Sequence, residues 1–206
     1  MVGINAHTKE DGRMVVEIKT DRLIMKSYDD SELELSYTVY SDDRLTKYFD
    51  HGKPRTMQET KDLVSDIGHT HFNKGKTFGL YSIYIKDTNE FIGHADFMPY
   101  DGTYTPGISN PDGDDVGNYA EIGYIIKPGF HGKGYATEAS KAFINLVKFS
   151  NRMHGLNLKG LMATAHPDNI PSWKVLEKMG FVLDKRESRF GSERVWYSLF
   201  VENFNA

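Results

Sequence analysis

The run His131-Gly132-Lys133-Gly134-Tyr135-Ala136 is the part of this chain best suited to hold a charged ligand. It follows an apolar, β-prone run, Ala120 to Ile126. It precedes apolar residues at Ala139, Ala142, Phe143, Leu146 and Val147, spaced as one face of a helix. The first N–H groups of a helix have no internal partner, and the helix dipole places positive potential there. Gly132 and Gly134 carry no side chain, so backbone amides can touch a phosphate at this point. The spacing is not a P-loop, because no Gly-Lys-Ser/Thr ends it, and not G-x-G-x-x-G, because position 137 is Thr. A tight strand-to-helix turn with no ligand would use the same residues. One acid, Glu121, breaks the apolar run. An isolated acid in a half-buried strand is either a proton-transfer group or the partner of a neighbouring Arg or Lys.

The elements that must position these residues can be read from periodicity. Residues 1–13 are polar and expected to be loose. Short strands are predicted over Met14–Ile18 and Arg22–Lys26, then a helix capped by Asp29, Asp30 or Ser31 and running to Tyr40. Ser41 to Arg55 reads as a polar connection, and Met57 to Asn73 as a helix with Met57, Thr60, Val64, Ile67 and His71 in one stripe. Thr77–Ile85 and Phe91–Phe97 alternate as a hairpin around Lys86–Glu90. Residues 100–118 are rich in Gly, Pro, Asn and Asp, without period. After the strand at Ala120–Ile126 and the helix at Gly134–Asn151 come a short strand, Leu161–Thr164, and a helix, Ile170–Met179, stopped by Gly180. A last hairpin, Phe181–Glu187 with Arg194–Val201, turns at Gly191. The order predicts an α/β protein, a mixed sheet flanked by helices, in a single domain over residues 1–206.

Composition narrows the function classes. The chain has 206 residues and a formal net charge of −4, so nucleic acid is not the expected partner. It has no cysteine, which removes disulfides, thiolate nucleophiles and cysteine metal sites and is consistent with a cytoplasmic protein. No apolar run reaches the ~18 residues of a membrane span, and no metal spacing of His, Asp and Glu stands out. The acids Asp101, Asp112, Asp114 and Asp115 form either a solvated loop or an attractor for a cationic acceptor.

The residues also carry a family resemblance. His131 to Ala136 resembles the pyrophosphate loop of the GNAT acyltransferases, of pattern Gln/Arg-x-x-Gly-x-Gly/Ala; Gly134 and Ala136 match, and His131 departs from Gln/Arg. Asn169-Ile170-Pro171-Ser172-Trp173-Lys174-Val175-Leu176-Glu177-Lys178-Met179-Gly180-Phe181 resembles the second cofactor segment. Its ending is similar to that of the Rim-type (RimJ/RimL-like) ribosomal-protein N-terminal acetyltransferases. Thr20 to Met25 resembles the first strand of that group, so the likeness runs from about residue 20 to about 200. It implies the GNAT fold: six to seven strands, about four helices, and two strands splayed apart to admit acyl-CoA.

What the resemblance implies about roles can be stated residue by residue. Ile125 and Ile126 would offer backbone groups to the pantetheine arm, and His131, Gly132, Lys133, Gly134, Tyr135 and Ala136 would hold the pyrophosphate. Asn169 would bond the pantetheine, or in the plainer reading cap its helix. Ser172 would meet the leaving sulfur, or simply occupy the first helical turn; no tyrosine follows it on that helix as a general acid. Glu121 would assist deprotonation of the amine. That task has a size: about 4.6 kcal/mol for a lysine ammonium at pH 7, but only about 1 to 1.4 kcal/mol for an α-amine. The implied reaction is acetyl transfer from acetyl-CoA to a small-molecule or peptide amine by direct attack, without a metal. The acceptor is left open. A homodimer through the terminal hairpin is compatible with the pattern. The alternatives are a non-catalytic acyl-CoA-binding or sensing domain and a nucleotide-binding module using the glycine turn alone.

Overall fold

The computed structural model describes residues 2–100 and 118–200. The chain runs β1 (Gly3–Thr8), β2 (Met14–Lys19), β3 (Leu23–Ser27), α1 (Leu33–Tyr40), α2 (Asp43–Thr46), α3 (Met57–His69), β4 (Gly79–Ile85) and β5 (Phe91–Pro99). It continues β6 (Tyr119–Ile126), α4 (Tyr135–His154), β7 (Gly160–Ala165), α5 (Ile170–Lys178), β8 (Val182–Arg189) and β9 (Ser192–Phe200). The acidic excursion, with Asp101, Asp112, Asp114 and Asp115, lies outside the described residues.

The strands form one nine-stranded sheet in the order β1-β2-β3-β4-β5-β6-β7-β9-β8. Neighbours pair antiparallel except β6 and β7, which are parallel. The strand count exceeds the expected six to seven partly because the N-terminal residues are not loose: Gly3 to Thr8 pairs with Lys19 to Met14 through the whole of β1. Being an edge strand, β1 is paired on one side only and its side chains are mostly exposed, which explains its polar composition.

Alternation along the strands divides the interior into two layers. Ala95, Phe97, Ala120, Ile122, Leu161, Ala163, Val195 and Tyr197 belong to a core shared with the apolar face of α4 and with Leu176 of α5. The rings of Phe78, Phe97 and Phe143 stack in series there, at centroid distances of 5.0 and 5.5 Å. On the other face Tyr28, Val39, Tyr40, Val64, Leu80 and Ile125 pack under α1 and α3. The helix predicted over Met57–Asn73 starts with Thr56 and Glu59 capping each other and ends at His69; Phe72–Lys74 form a separate 3-10 turn.

The feature that shapes the site is the short β6–β7 pairing. Tyr119, Ala120 and Glu121 pair with Gly160, Leu161 and Met162, and then the ladder stops, although β6 runs on to Ile126 and β7 to Ala165. The two strands keep their other neighbours, β5 and β9, throughout. A gap therefore opens from Ile122 onward, with the glycine turn at its wide end.

Candidate active site

At the wide end, a 3-10 turn (Pro128–Phe130) follows β6 and leads into the glycine loop. Gly132 and Gly134 have φ of +75° and +81°, backbone angles that side chains disfavour. Gly134 is the N-cap of α4, and the first helical bond is Glu138 N–H to Gly134 O at 3.0 Å. The N–H groups from Gly132 to Thr137 find no partner among the described residues. They form the open anion cradle that a pyrophosphate fits.

The cradle is held from behind. Glu138 in the first turn of α4 accepts from Thr20 Oγ1 (2.6 Å), Arg22 N (2.8 Å) and Arg22 Nε (2.6 Å). Arg22 Nη1 donates to Lys133 O at 2.9 Å, and its guanidinium lies over the Tyr135 ring at 4.7 Å. Burial pushes the Glu138 carboxyl up, but the bonds from Thr20 and Arg22 outweigh it and hold it below its ordinary value. It stays ionised and neutralised, so it does not spoil the cradle's positive potential. His131, expected among the anion donors, instead turns back: its Nε2 donates to Ile126 O at 2.5 Å, closing the turn. Lys133 is exposed, with its ammonium 5.3 Å from the Phe130 ring centre.

Across the gap, the Asn169 side chain makes no cap bond to α5, so its amide is available to a ligand. Ser172 lies in the first turn of α5, and Tyr124 reaches it from β6. The Tyr124 hydroxyl donates to Ser172 O at 2.6 Å and accepts from Ser172 Oγ at 3.3 Å. The sequence offers no tyrosine along α5, and this one comes instead from β6, where nothing local marks it. Burial raises the Tyr124 phenol well above its usual range, with the Ser172 bond offsetting part of the rise, so it is a protonated donor at neutral pH.

At the narrow end, Glu121 is not free. Arg189 at the end of β8 grips it with Nη1 to Oε1 at 2.5 Å and Nη2 to Oε2 at 3.1 Å. The Arg189 guanidinium also lies over the Trp196 ring at 5.2 Å. Beside this pair is an acid that sequence reasoning did not single out, Asp96. It faces Gly123 in the β5–β6 register. A Cβ on Gly123 would sit 2.3 Å from Asp96 Oδ1, so the missing side chain is the space the carboxylate occupies. Burial first, and then the neighbouring Glu121 charge, push the Asp96 carboxyl up to about 7, against the pull of Arg189. The signal that flagged Glu121, one acid in an apolar strand, was equally present in Phe91–Phe97. The histidines do other work: His94 is buried at 1% exposure and stacked on Tyr40, and burial lowers it to about 3. His166 packs on Tyr48 at 5.0 Å.

The arrangement has an anion cradle, a gap lined by open backbone, hydroxyls midway and carboxylates at the closed end. It suits a long anionic carrier that delivers its reactive end beside Tyr124, Ser172 and Gly123. A family model described as an acetyltransferase (GNAT) domain matches residues 22–182. An uncharacterized N-acetyltransferase of Bacillus subtilis (strain 168), YnaD, is 28% identical over 199 residues, which is 92% of this chain and 100% of the relative. Among solved structures, a GNAT-family acetyltransferase from Bacillus anthracis superposes with a TM-score of 0.67 at 23% identity, over 90% of this chain and 99% of that one. RimL, described as a ribosomal L7/L12 alpha-N-protein acetyltransferase in complex with coenzyme A, superposes with a TM-score of 0.66 at 18% identity, over 88% of this chain and 95% of RimL. At these identities the structures speak to the fold alone.

Proposed function

The chain belongs to the GNAT acetyltransferase family, and from that premise we propose that it moves an acetyl group from acetyl-CoA to a primary amine by direct attack. The observation that carries this reading is the glycine cradle, whose unpartnered N–H groups open onto the β6–β7 gap. Acetyl-CoA supplies the activated acyl group. The N–H groups from Gly132 to Ala136 hold its pyrophosphate, while Lys133 adds charge nearby. Backbone at Ile126, which faces the gap, and the Asn169 amide hold the pantetheine; Ile125, expected beside it, is a bonded pair with His94 in the β5–β6 ladder, so its backbone is taken. Because His131 already serves the Ile126 carbonyl, its part is to shape the loop. Ser172 and Tyr124 face the leaving sulfur, and Tyr124 is the general acid that the sequence lacked on α5. Glu121, fixed by Arg189, places negative charge where the ammonium arrives and assists its deprotonation.

The acceptor is a small-molecule or N-terminal peptide amine. An α-amine asks least of the site, about 1 to 1.4 kcal/mol at pH 7 against about 4.6 for a lysine. The likeness to RimL makes a peptide N-terminus one arm of the test. A second reading, a non-catalytic acyl-CoA-binding domain, has one observation in its favour: a Glu121 tied down by Arg189 is what a merely structural pair looks like.

Thermal-shift titration with acetyl-CoA, CoA and ATP, followed by thiol release with peptide N-termini, amino acids, polyamines and aminoglycosides, separates them. Saturation at about 100 times Kd adds about 2.7 kcal/mol of stability. Stabilisation by both coenzyme forms but not ATP, with thiol release by an amine, is expected. Stabilisation without turnover by any amine selects the binding domain. No stabilisation by either form rejects both.

A further inference from the structure

We propose that the group accepting the proton of the incoming ammonium is Asp96, with the Glu121–Arg189 pair acting as its neighbour and guide. This rests on the acetyl-transfer reading above. Three observations converge on Asp96. First, the gap begins at Ile122, directly after the last β6–β7 pair, Glu121 with Met162. The closed ladder is a floor, and Gly123 is among the first residues above it. Second, Asp96 is registered against Gly123, and its carboxylate fills the volume that any other residue at 123 would take. A glycine inside a strand weakens the strand, so its presence where a carboxylate must approach points to a constructed place for that carboxylate. Third, Tyr124, the next residue of β6, points to the other face of that strand, where it meets Ser172 of α5. Asp96 thus stands across Gly123 from the hydroxyls that face the leaving group.

Glu121 is the weaker acceptor for a definite reason. Both its oxygens are bonded to a guanidinium, and a proton there would have to displace those bonds. Asp96 has no ion pair among the described residues. Among the described residues, the charged and titratable groups that bear on it are Glu121 from β6, Arg189 from β8 and the Tyr40 hydroxyl from α1. His94, two residues earlier on β5, is neutral. Burial and the Glu121 charge bring Asp96 to about 7, close to the operating pH at which a general base works best.

The step balances as follows. An ammonium N–H bond breaks and the proton goes to an Asp96 oxygen. The nitrogen lone pair bonds the thioester carbonyl carbon, and the C–S bond breaks with its electron pair on sulfur. Sulfur takes the second N–H proton through Tyr124, giving an amide and a thiol, and Asp96 returns its proton to water.

The test compares wild type, Asp96→Asn and Glu121→Gln. In carboxyl-13C-labelled protein without acetyl-CoA, one carboxyl should titrate near pH 7, vanish in Asp96→Asn, and shift to lower pH in Glu121→Gln, where the like charge is gone. With the amine found above, the acidic limb of kcat/KM should follow the same pattern. Asp96→Asn should lose it together with about 10²-fold or more in rate, the ordinary span for a positioned base. A limb that stays put when acceptors of different ammonium pKa are exchanged belongs to the enzyme. If no carboxyl titrates above about pH 6, or if Asp96→Asn keeps the limb and stays within about threefold of wild type, the inference falls while acetyl transfer stands. If wild type releases thiol with no amine, the acetyl-transfer reading falls first.

Discussion

Two glutamates in this molecule are each gripped by one arginine, and they serve opposite ends of the same cleft. Glu138 receives Thr20, the Arg22 backbone and the Arg22 guanidinium, and among the described residues no second acid bears on it. One carboxylate is matched to one guanidinium, and the result is structural: a rigid back for the glycine cradle. Glu121 is matched to Arg189 just as closely, but Asp96 lies diagonally across the strand pair on the same face. Among the described residues, two carboxylates there face one guanidinium, and it is Glu121 that bonds it. The first cluster is electrostatically finished, and the second still has an appetite for a proton or an ammonium. Chemistry is expected where the charge is left unbalanced, and binding where it is not.

The largest effect that would sharpen this contrast comes from Gly123→Ala. The new methyl would lie 2.3 Å from Asp96 Oδ1 and 2.9 Å from its Cγ, so the carboxylate must swing away without being removed. A displacement of about 1 Å in a reacting group is worth roughly 10²-fold, and kcat/KM is expected to fall by about that factor. The dissociation constant for acetyl-CoA, measured by calorimetry, should change by less than about threefold. A variant that lost affinity and kept its rate would mean that the narrow end binds and does not react.

Next is Arg22→Ala, which opens the balanced end. It removes the guanidinium from Glu138 and drops the bond to Lys133 O, leaving only the Thr20 hydroxyl and the residue-22 N–H on Glu138, so the cradle loses much of its backing while every group at the narrow end stays in place. The KM and Kd for acetyl-CoA should rise about tenfold with kcat held, the pattern of lost uniform binding. A fall in kcat alone would break the division between the two ends.

How much of this was legible in the sequence depended on distance along the chain. The glycine turn, α4, α5 and the β4–β5 hairpin are local, and the 3.6 and 2.0 periods of their apolar residues marked them closely. Glu121 is legible because it sits on the strand that leads into the glycine turn. Asp96 carries the same signature, but its meaning lies in its register with Gly123, a pairing between strands separated by the excursion. Tyr124 was hidden for the same reason, since nothing local shows that a β6 side chain reaches Ser172 on α5. The edge strand β1 reads as a tail because its pattern is mostly polar and its one strand partner among the described residues is β2. The Arg189 that occupies Glu121 comes from the far end of the sheet order, brought close by the β8–β9 hairpin.

The smallest effect is also the one most directly opposed between the two clusters, because it is a difference in sign. Asp96 titrates at about 7 in the folded protein, above the ~3.9 of an unfolded aspartate. Between those values the native state binds more protons than the unfolded state, so this group's contribution to stability falls as pH rises. Its unfavourable share is fully present above pH 7 and fades toward pH 4. Asp96→Asn should therefore melt higher than wild type at pH 8, by at least about 2–4 °C for each ~1 kcal/mol, with the advantage narrowing at pH 5. Glu138 lies below its ordinary value, so the stability it adds is present at neutral pH and lost as pH falls through its folded value. Glu138→Gln should melt lower than wild type at pH 8, by about 1–2 kcal/mol of lost charge-assisted bonding, with the deficit closing in acid. Melts of the ligand-free proteins at pH 5 and 8 read both. If the two variants shift in the same direction at pH 8, the clusters are electrostatically alike, and the reason for assigning binding to one and proton transfer to the other disappears.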